Sequence, residues 1–188
     1  MSGKVFIFCA PSGGGKSTII KYLREQGVAF EFSVSATSRA PREGEVDGKD
    51  YHFISDEAFR QKIAEDAFIE YEQVYEGQYY GTLKQQVEGA LAEGRNIVFD
   101  VDVHGGLRLK KYFGDRALSL FIQPPSLEVL RQRLVNRGTE TPEKIEKRMA
   151  RAAYEISRAP EFDRVIVNDD LATAQAETLA CVVKFLNH

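Results

Sequence analysis

Eight consecutive residues, Ala10-Pro11-Ser12-Gly13-Gly14-Gly15-Lys16-Ser17, carry the clearest chemistry in the chain. They follow an apolar run, Val5 to Cys9, and precede a helical pattern from about Ser17 to Gln26. That strand–loop–helix setting is what a phosphate-binding loop (P-loop) requires. Glycines let successive backbone N–H groups turn inward around a phosphate, at the positive end of the helix dipole. Lys16 supplies an ammonium for the β- and γ-phosphates, and Ser17 a hydroxyl for Mg²⁺. Ala10 stands where the first glycine of the pattern is usual, and an alanine works there only with a negative φ. Such a loop implies that a nucleoside triphosphate is handled and leaves the acceptor open.

Other segments hold polar residues of the right kinds for an acceptor. They are Ser33-Val34-Ser35-Ala36-Thr37-Ser38-Arg39-Ala40-Pro41-Arg42-Glu43-Gly44-Glu45 with Gly48-Lys49-Asp50-Tyr51, then Phe68-Ile69-Glu70 with Gly77-Gln78-Tyr79-Tyr80-Gly81-Thr82, then Phe99-Asp100-Val101-Asp102-Val103-His104-Gly105. Taken singly, each has an ordinary reading. Arginines in a polar loop are solvated, a glutamate in a strand is surface, and paired tyrosines fill a core or an edge. Taken in this order behind the phosphate loop, they resemble the GMP-binding region of the guanylate kinase family. With an arginine-rich stretch at 126–158 and Val167-Asn168-Asp169-Asp170, the resemblance covers essentially the entire chain.

The resemblance implies a division of labour. Guanine offers two donors, N1–H and the 2-amino group, and one acceptor, O6; a carboxylate takes both donors and small hydroxyls serve O6. By family likeness Glu70 is that carboxylate, with Ser35, Thr82 and Asp102 completing the base pocket and Gly81 beside it. Arg39, Arg42, Tyr51 and Tyr80 take the GMP phosphate, and Glu45 holds an arginine in place. ATP is the donor, bound by Ala10 to Thr18, with Asn168 and Asp169 on the adenine side. Arg137 and Arg148 are the arginines that reach its phosphates, while Arg131 and Arg151 read as charged helix surface. Asp100, ending an apolar strand, acts with Ser17 on Mg²⁺ and by the family likeness also falls among the GMP-binding residues. Lys16, Arg42, Arg137 and Arg148 are thus the candidate catalytic groups. Two further departures from the family stand out. His104 replaces the usual glutamine, and the Glu70–Tyr80 stretch is one residue longer, read as an insertion at Glu76-Gly77.

The elements that must position these residues alternate apolar runs with helical periods. Strands are predicted at Val5–Cys9, Phe30–Val34, Tyr51–Ile54, Phe68–Val74, Ile97–Val101, Leu118–Ile122 and Val165–Val167. Helices are predicted from Ser55 or Asp56, over Leu83–Glu93, after Ser126, after Thr141-Pro142, and over Leu171–Phe185, with 36–50 a loop. This rhythm predicts an α/β fold of the P-loop NTPase type, a parallel sheet with helices on both faces. A small mixed or antiparallel GMP-binding insertion (35–82) and a helical lid (126–158) are added to a core of 1–34, 83–125 and 160–188. The 188 residues suit a single domain, and 28% charged residues with net charge −3 argue against nucleic acid as a partner. No run is long and apolar enough for a membrane span, and Cys9 and Cys181 in apolar runs predict two buried, reduced thiols. The expectation is a cytoplasmic monomer or homodimer acting on ATP and GMP, with dGMP left open. Two rivals remain at this point: a kinase of another nucleoside monophosphate, and a kinase-like binding module without catalysis.

Overall fold

The structure, a computed structural model, describes residues 2–136 and 141–188, and of Val74 and Tyr75 the backbone alone. In chain order its strands are β1 (Val5–Cys9), β2 (Glu31–Phe32), β3 (Ala36–Thr37), β4 (His52–Phe53), β5 (Phe68–Tyr75), β6 (Gln78–Leu83), β7 (Ile97–Asp100), β8 (Ala117–Gln123) and β9 (Arg164–Val167). Its helices are α1 (Lys16–Glu25), α2 (Asp56–Ala64), α3 (Lys84–Ala92), α4 (Val103–Phe113), α5 (Leu127–Asn136), α6 (Pro142–Ser157) and α7 (Leu171–Leu186). The parallel sheet has the order β2-β7-β1-β8-β9, and a mixed sheet the order β4-β3-β6-β5. Contacts group the chain into two bodies, one built on Glu31–Val98 and the other on Val5–Phe30 with Phe99–His188.

In the second body β1 is the buried centre. Its side chains alternate between the two faces, yet none is more than 1% exposed, so both faces are covered. Helix α4 covers the face of Ile7 and Cys9: a Cβ on Gly106 would lie 2.5 Å from the Cys9 sulfur and 3.4 Å from Ile7. Helix α7 covers the other, through an edge-to-face contact of Phe185 with Phe6 at 6.0 Å. Helix α4 has no counterpart among the predicted elements. Gly106 is what lets the helix approach β1 so closely. Cys9 is buried as predicted; Cys181 is only half-buried, because α7 turns it toward a partly open flank.

In the first body β5 and β6 form an antiparallel hairpin, β3 pairs antiparallel to β6, and β4 pairs parallel to β3. The core under this sheet joins Ala36, Phe59, Phe68 and Tyr79, with Phe59 stacked on Phe68 at 4.3 Å and on Tyr79 at 5.3 Å. Phe59 is delivered by α2, whose N-terminus is capped by Ser55 accepting from the Ala58 N–H at 3.1 Å. Strand β2 is shorter than the predicted Phe30–Val34, since it pairs on one side only and both its residues are exposed. The region read as loop contains β3, two buried residues held by their neighbours and not by any local pattern. Strand β6 had no strand signal either. Between Glu70 and Tyr80 the hairpin carries a bulge between Gln73 and Tyr75, and Glu76-Gly77, read as an insertion, forms its two-residue turn.

Candidate active site

The loop between β1 and α1 has the predicted strand–loop–helix setting. Helix α1 starts at Lys16, and Gly15 before it sits at φ 95°, a left-handed conformation open to glycine. The Gly14 N–H donates to the Pro11 carbonyl at 2.8 Å and closes the turn. Asp66 is the one non-glycine residue with positive φ among the described residues, so Ala10 meets the condition its substitution imposes.

A cleft of about 620 Å³ opens beside this loop, lined by Ser12, Lys16, Asp100, Asp102, Lys147, Arg148, Arg151 and Glu155. Lys16, Arg148 and Arg151 are parked on nearby oxygens. Lys16 pairs with Asp100 and donates to the Val101 carbonyl at 3.3 Å. Arg148 donates to the Ser12 hydroxyl. Arg151 donates to Asp102 at 3.2 Å and to Glu155 at 2.9 Å. The other Asp102 oxygen accepts from the Gly105 N–H at 2.9 Å and caps α4. Ser17 and Thr18 are exposed at the start of α1.

Helices α5 and α6 pack together through Leu130, Leu134, Ile145 and Ala152, with Met149 against them. This is the apolar face predicted for α6, and it turns Lys147, Arg148 and Arg151 toward the cleft. Lys147, Arg151 and Glu155 had not been read as site residues. The four-residue spacing of Arg151 and Glu155 was the available signal. Arg131 is a surface group paired with Glu146, as read. Arg137 lies outside the described residues. Asn168 is buried, while Asp169 is exposed.

In the first body the predicted acceptor residues fall into two clusters. Arg39 is held on several sides. Its guanidinium makes two 2.6 Å bonds to Glu45, one to the Tyr80 hydroxyl at 3.1 Å and one to the Ala40 carbonyl at 2.9 Å. The Tyr51 ring lies under it at 5.0 Å and meets Tyr80 edge-on at 5.8 Å. Glu45 also accepts from the Arg42 N–H at 2.7 Å; Arg39 and this N–H hold its carboxyl down to about 2. The Arg42 side chain is exposed, on the same turn. In the second cluster, Thr82 donates to Glu70 at 2.7 Å across the β5–β6 pair. Gly81 permits this, because a Cβ there would lie 2.9 Å from the Glu70 carbonyl. Ser35 is half-buried just before β3. Asp100 and Asp102, grouped with these residues by the family likeness, belong to the second body.

Among the described residues no group of three or more His, Cys, Asp or Glu forms a self-contained metal cage. One hydroxyl (Ser17) and one carboxylate (Asp100) is a donor set that fits Mg²⁺ arriving with its phosphates and waters. No helix of the described residues is long and apolar enough to cross a membrane.

Comparison with known proteins points to one family. The sequence profile of the family described as guanylate kinase matches residues 2–184. The chain is 60% identical over 183 residues to a guanylate kinase of Bacteroides fragilis, covering 97% of this chain and 90% of that one. It is 50% identical over 184 residues to one of Porphyromonas gingivalis, covering 97% and 98%. Among solved structures, the guanylate kinase from Anaplasma phagocytophilum matches with a TM-score of 0.64 at 29% identity, covering 99% of this chain and 85% of that one.

Proposed function

The chain belongs to the guanylate kinase family, and from that premise we propose that it moves the γ-phosphoryl group of ATP onto GMP, giving ADP and GDP. The observation that carries the choice of acceptor is the Glu70–Thr82 pair, a carboxylate and a buried hydroxyl fixed side by side on paired strands. A phosphate loop names only the donor; this pair matches the donors on guanine's edge. Adenine would set its N1 acceptor against the carboxylate and leave a polar group unpaired, which such sites reject strongly. Ser35 and Asp102 complete the base contacts, and Arg42, Tyr51 and Tyr80 take the phosphate around a fixed Arg39.

In the transfer step a GMP phosphate oxygen, already ionised at neutral pH, attacks the γ-phosphorus, and the bond to the β-phosphate oxygen breaks to release ADP. No general base is needed. The protein's task is to hold two anions in line and offset their charge. Lys16, Arg148 and Arg137 are the groups we assign to it. Ser17 and Asp100 would hold Mg²⁺, which supplies further neutralisation of phosphate charge when bound. We assign 35–82 to acceptor binding and 126–158 to a lid whose closure keeps water from the γ-phosphate. The reaction belongs to purine nucleotide metabolism, and we take the enzyme to work in the cytoplasm.

The test is ADP release with ATP, Mg²⁺ and each monophosphate in turn. Turnover is expected with GMP and not with AMP, UMP or dTMP. Turnover with one of those in place of GMP would overturn the base pocket, and silence with all from folded protein would overturn the kinase reading. A dGMP arm reports whether the ribose 2′-hydroxyl matters.

A further inference from the structure

The cleft beside the phosphate loop is lined by four cationic side chains and three carboxylates. Lys16 rests on Asp100, Arg151 on Asp102 and Glu155, and Arg148 on the Ser12 hydroxyl. Lys147, the fourth cation, rests on none of them, and among the described residues it has no hydrogen-bonding or ionic partner. We propose that Lys147 is a phosphate-binding residue of the donor side, whose unmatched ammonium holds the triphosphate of ATP in the ground-state complex; this rests on the loop being the donor site.

The isolation of this ammonium is built into α6. Lys147, Arg151 and Glu155 stand four residues apart and so form one stripe of the helix, from Glu155, 6% exposed, out to the exposed Lys147. Arg151, the middle member, takes Glu155 at 2.9 Å. The acids nearest Lys147 along the helix are committed elsewhere. Glu143, one turn earlier, accepts from its own N–H and from the Thr141 hydroxyl, which hold its carboxyl below the usual range. Glu146 pairs with Arg131 of α5. A triphosphate entering the cleft must draw Lys16, Arg148 and Arg151 off oxygens they already hold, and each exchange offsets part of the gain. Lys147 gives up only water, so no lost protein contact offsets its attraction. An exposed lysine that is merely a solvated surface charge would leave ATP binding unaffected.

The experiment compares Lys147→Met, which keeps the stem and removes the charge, and Lys147→Arg, which keeps the charge, with the wild type. Calorimetry gives affinities for the Mg²⁺ complexes of ATP and base-free tripolyphosphate and for GMP, and the unfolding midpoint checks the fold. Lys147→Met should bind ATP and tripolyphosphate about tenfold more weakly, the worth of one charge-assisted bond. GMP affinity should hold within about twofold, and the loss for ATP should shrink as salt is added. Lys147→Arg should restore most of the binding. Steady-state rates separate binding from chemistry: in Lys147→Met the KM for ATP should rise while kcat at saturating ATP stays within about threefold. Unchanged ATP affinity, an equal loss for GMP, failure of Lys147→Arg to restore binding, or a large fall in kcat without loss of affinity would overturn the proposal. Wild-type protein that fails to bind tripolyphosphate would instead overturn the donor-loop reading beneath it.

Discussion

The two charged clusters of this enzyme are held in opposite ways. Around Arg39 the ion pair is recessed, with side chains 9% and 20% exposed, and aromatic rings and a tyrosine hydroxyl close in on it. In the cleft beside the phosphate loop the contacts are more open: Lys16 and Asp100 are 18% and 39% exposed, Arg151 and Asp102 63% and 36%. A recessed, multiply bonded guanidinium is already in its working shape, so binding an anion there requires little reordering. Exposed pairs are worth little and exchange readily. Under the proposed assignment the acceptor side is preorganised, while the donor side keeps Lys16, Arg148 and Arg151 on provisional partners that a triphosphate would displace.

The strongest attempt to break this contrast is Lys16→Ala. If the Lys16–Asp100 pair is only a resting place, the variant should fold normally but lose turnover by about 10³-fold, the scale for removing one transition-state donor. Turnover within tenfold of wild type would show that the ammonium does nothing beyond pairing with Asp100.

Arg42→Ala separates the two arginines of the acceptor loop. Arg39 has four of its five N–H groups committed, whereas the Arg42 side chain is exposed. Its loss should raise KM for GMP by about 10- to 100-fold, the worth of a charge-assisted bond to phosphate, with KM for ATP unchanged. Equal effects on both substrates would undo the division between the sides.

Glu45→Gln loosens the recessed cluster without emptying it. KM for GMP should rise by about tenfold, since a neutral amide holds Arg39 less firmly. It also carries a signature in pH. The folded pKa of Glu45, about 2, lies below its ordinary 4.5, so its stabilisation is complete above about pH 4.5 and is lost as the pH falls toward 2. Acid unfolding followed by tyrosine fluorescence should therefore show the variant less sensitive than wild type in that window. Parallel curves would remove the ion pair from the stability of the first body.

Where the sequence was informative, the chemistry was local. The phosphate loop is legible because all its groups come from eight consecutive residues, and β1, buried on both faces, shows as an unbroken apolar run. The parallel sheet followed from that alternation. Helix α4 was hidden because the reason for Gly106 is Cys9, on a strand nearly a hundred residues earlier. Strand β3 exists by pairing with β4 and β6, and β6 by pairing with β5 and β3, which no periodicity records. The bond from Asn168 to Gly14 spans almost the whole chain, so resemblance named the residue while only the geometry gives its contact. Arg151 is the intermediate case: its bond to Glu155 is readable at helical spacing, and its bond to Asp102 is not.

Arg151→Gln is the finest probe of the contrast. Asp102 has one oxygen committed to capping α4, so removing Arg151 leaves the helix start intact and frees the other oxygen. If the donor-side pairs are provisional, the exposed contact to Asp102 is worth at most about 1 kcal/mol, and any larger fall in the unfolding midpoint belongs to the lost bond to the buried Glu155. KM for ATP and for GMP should each stay within about threefold, because the phosphates retain Lys16 and Arg148. A tenfold or larger fall in kcat would mean that Arg151 leaves Asp102 to join the transfer step and is a working part of the donor side. A tenfold rise in KM for GMP alone would mean that the Arg151–Asp102 pair is itself built for the acceptor, and the boundary between a fixed side and an exchangeable side would have to be redrawn through Asp102.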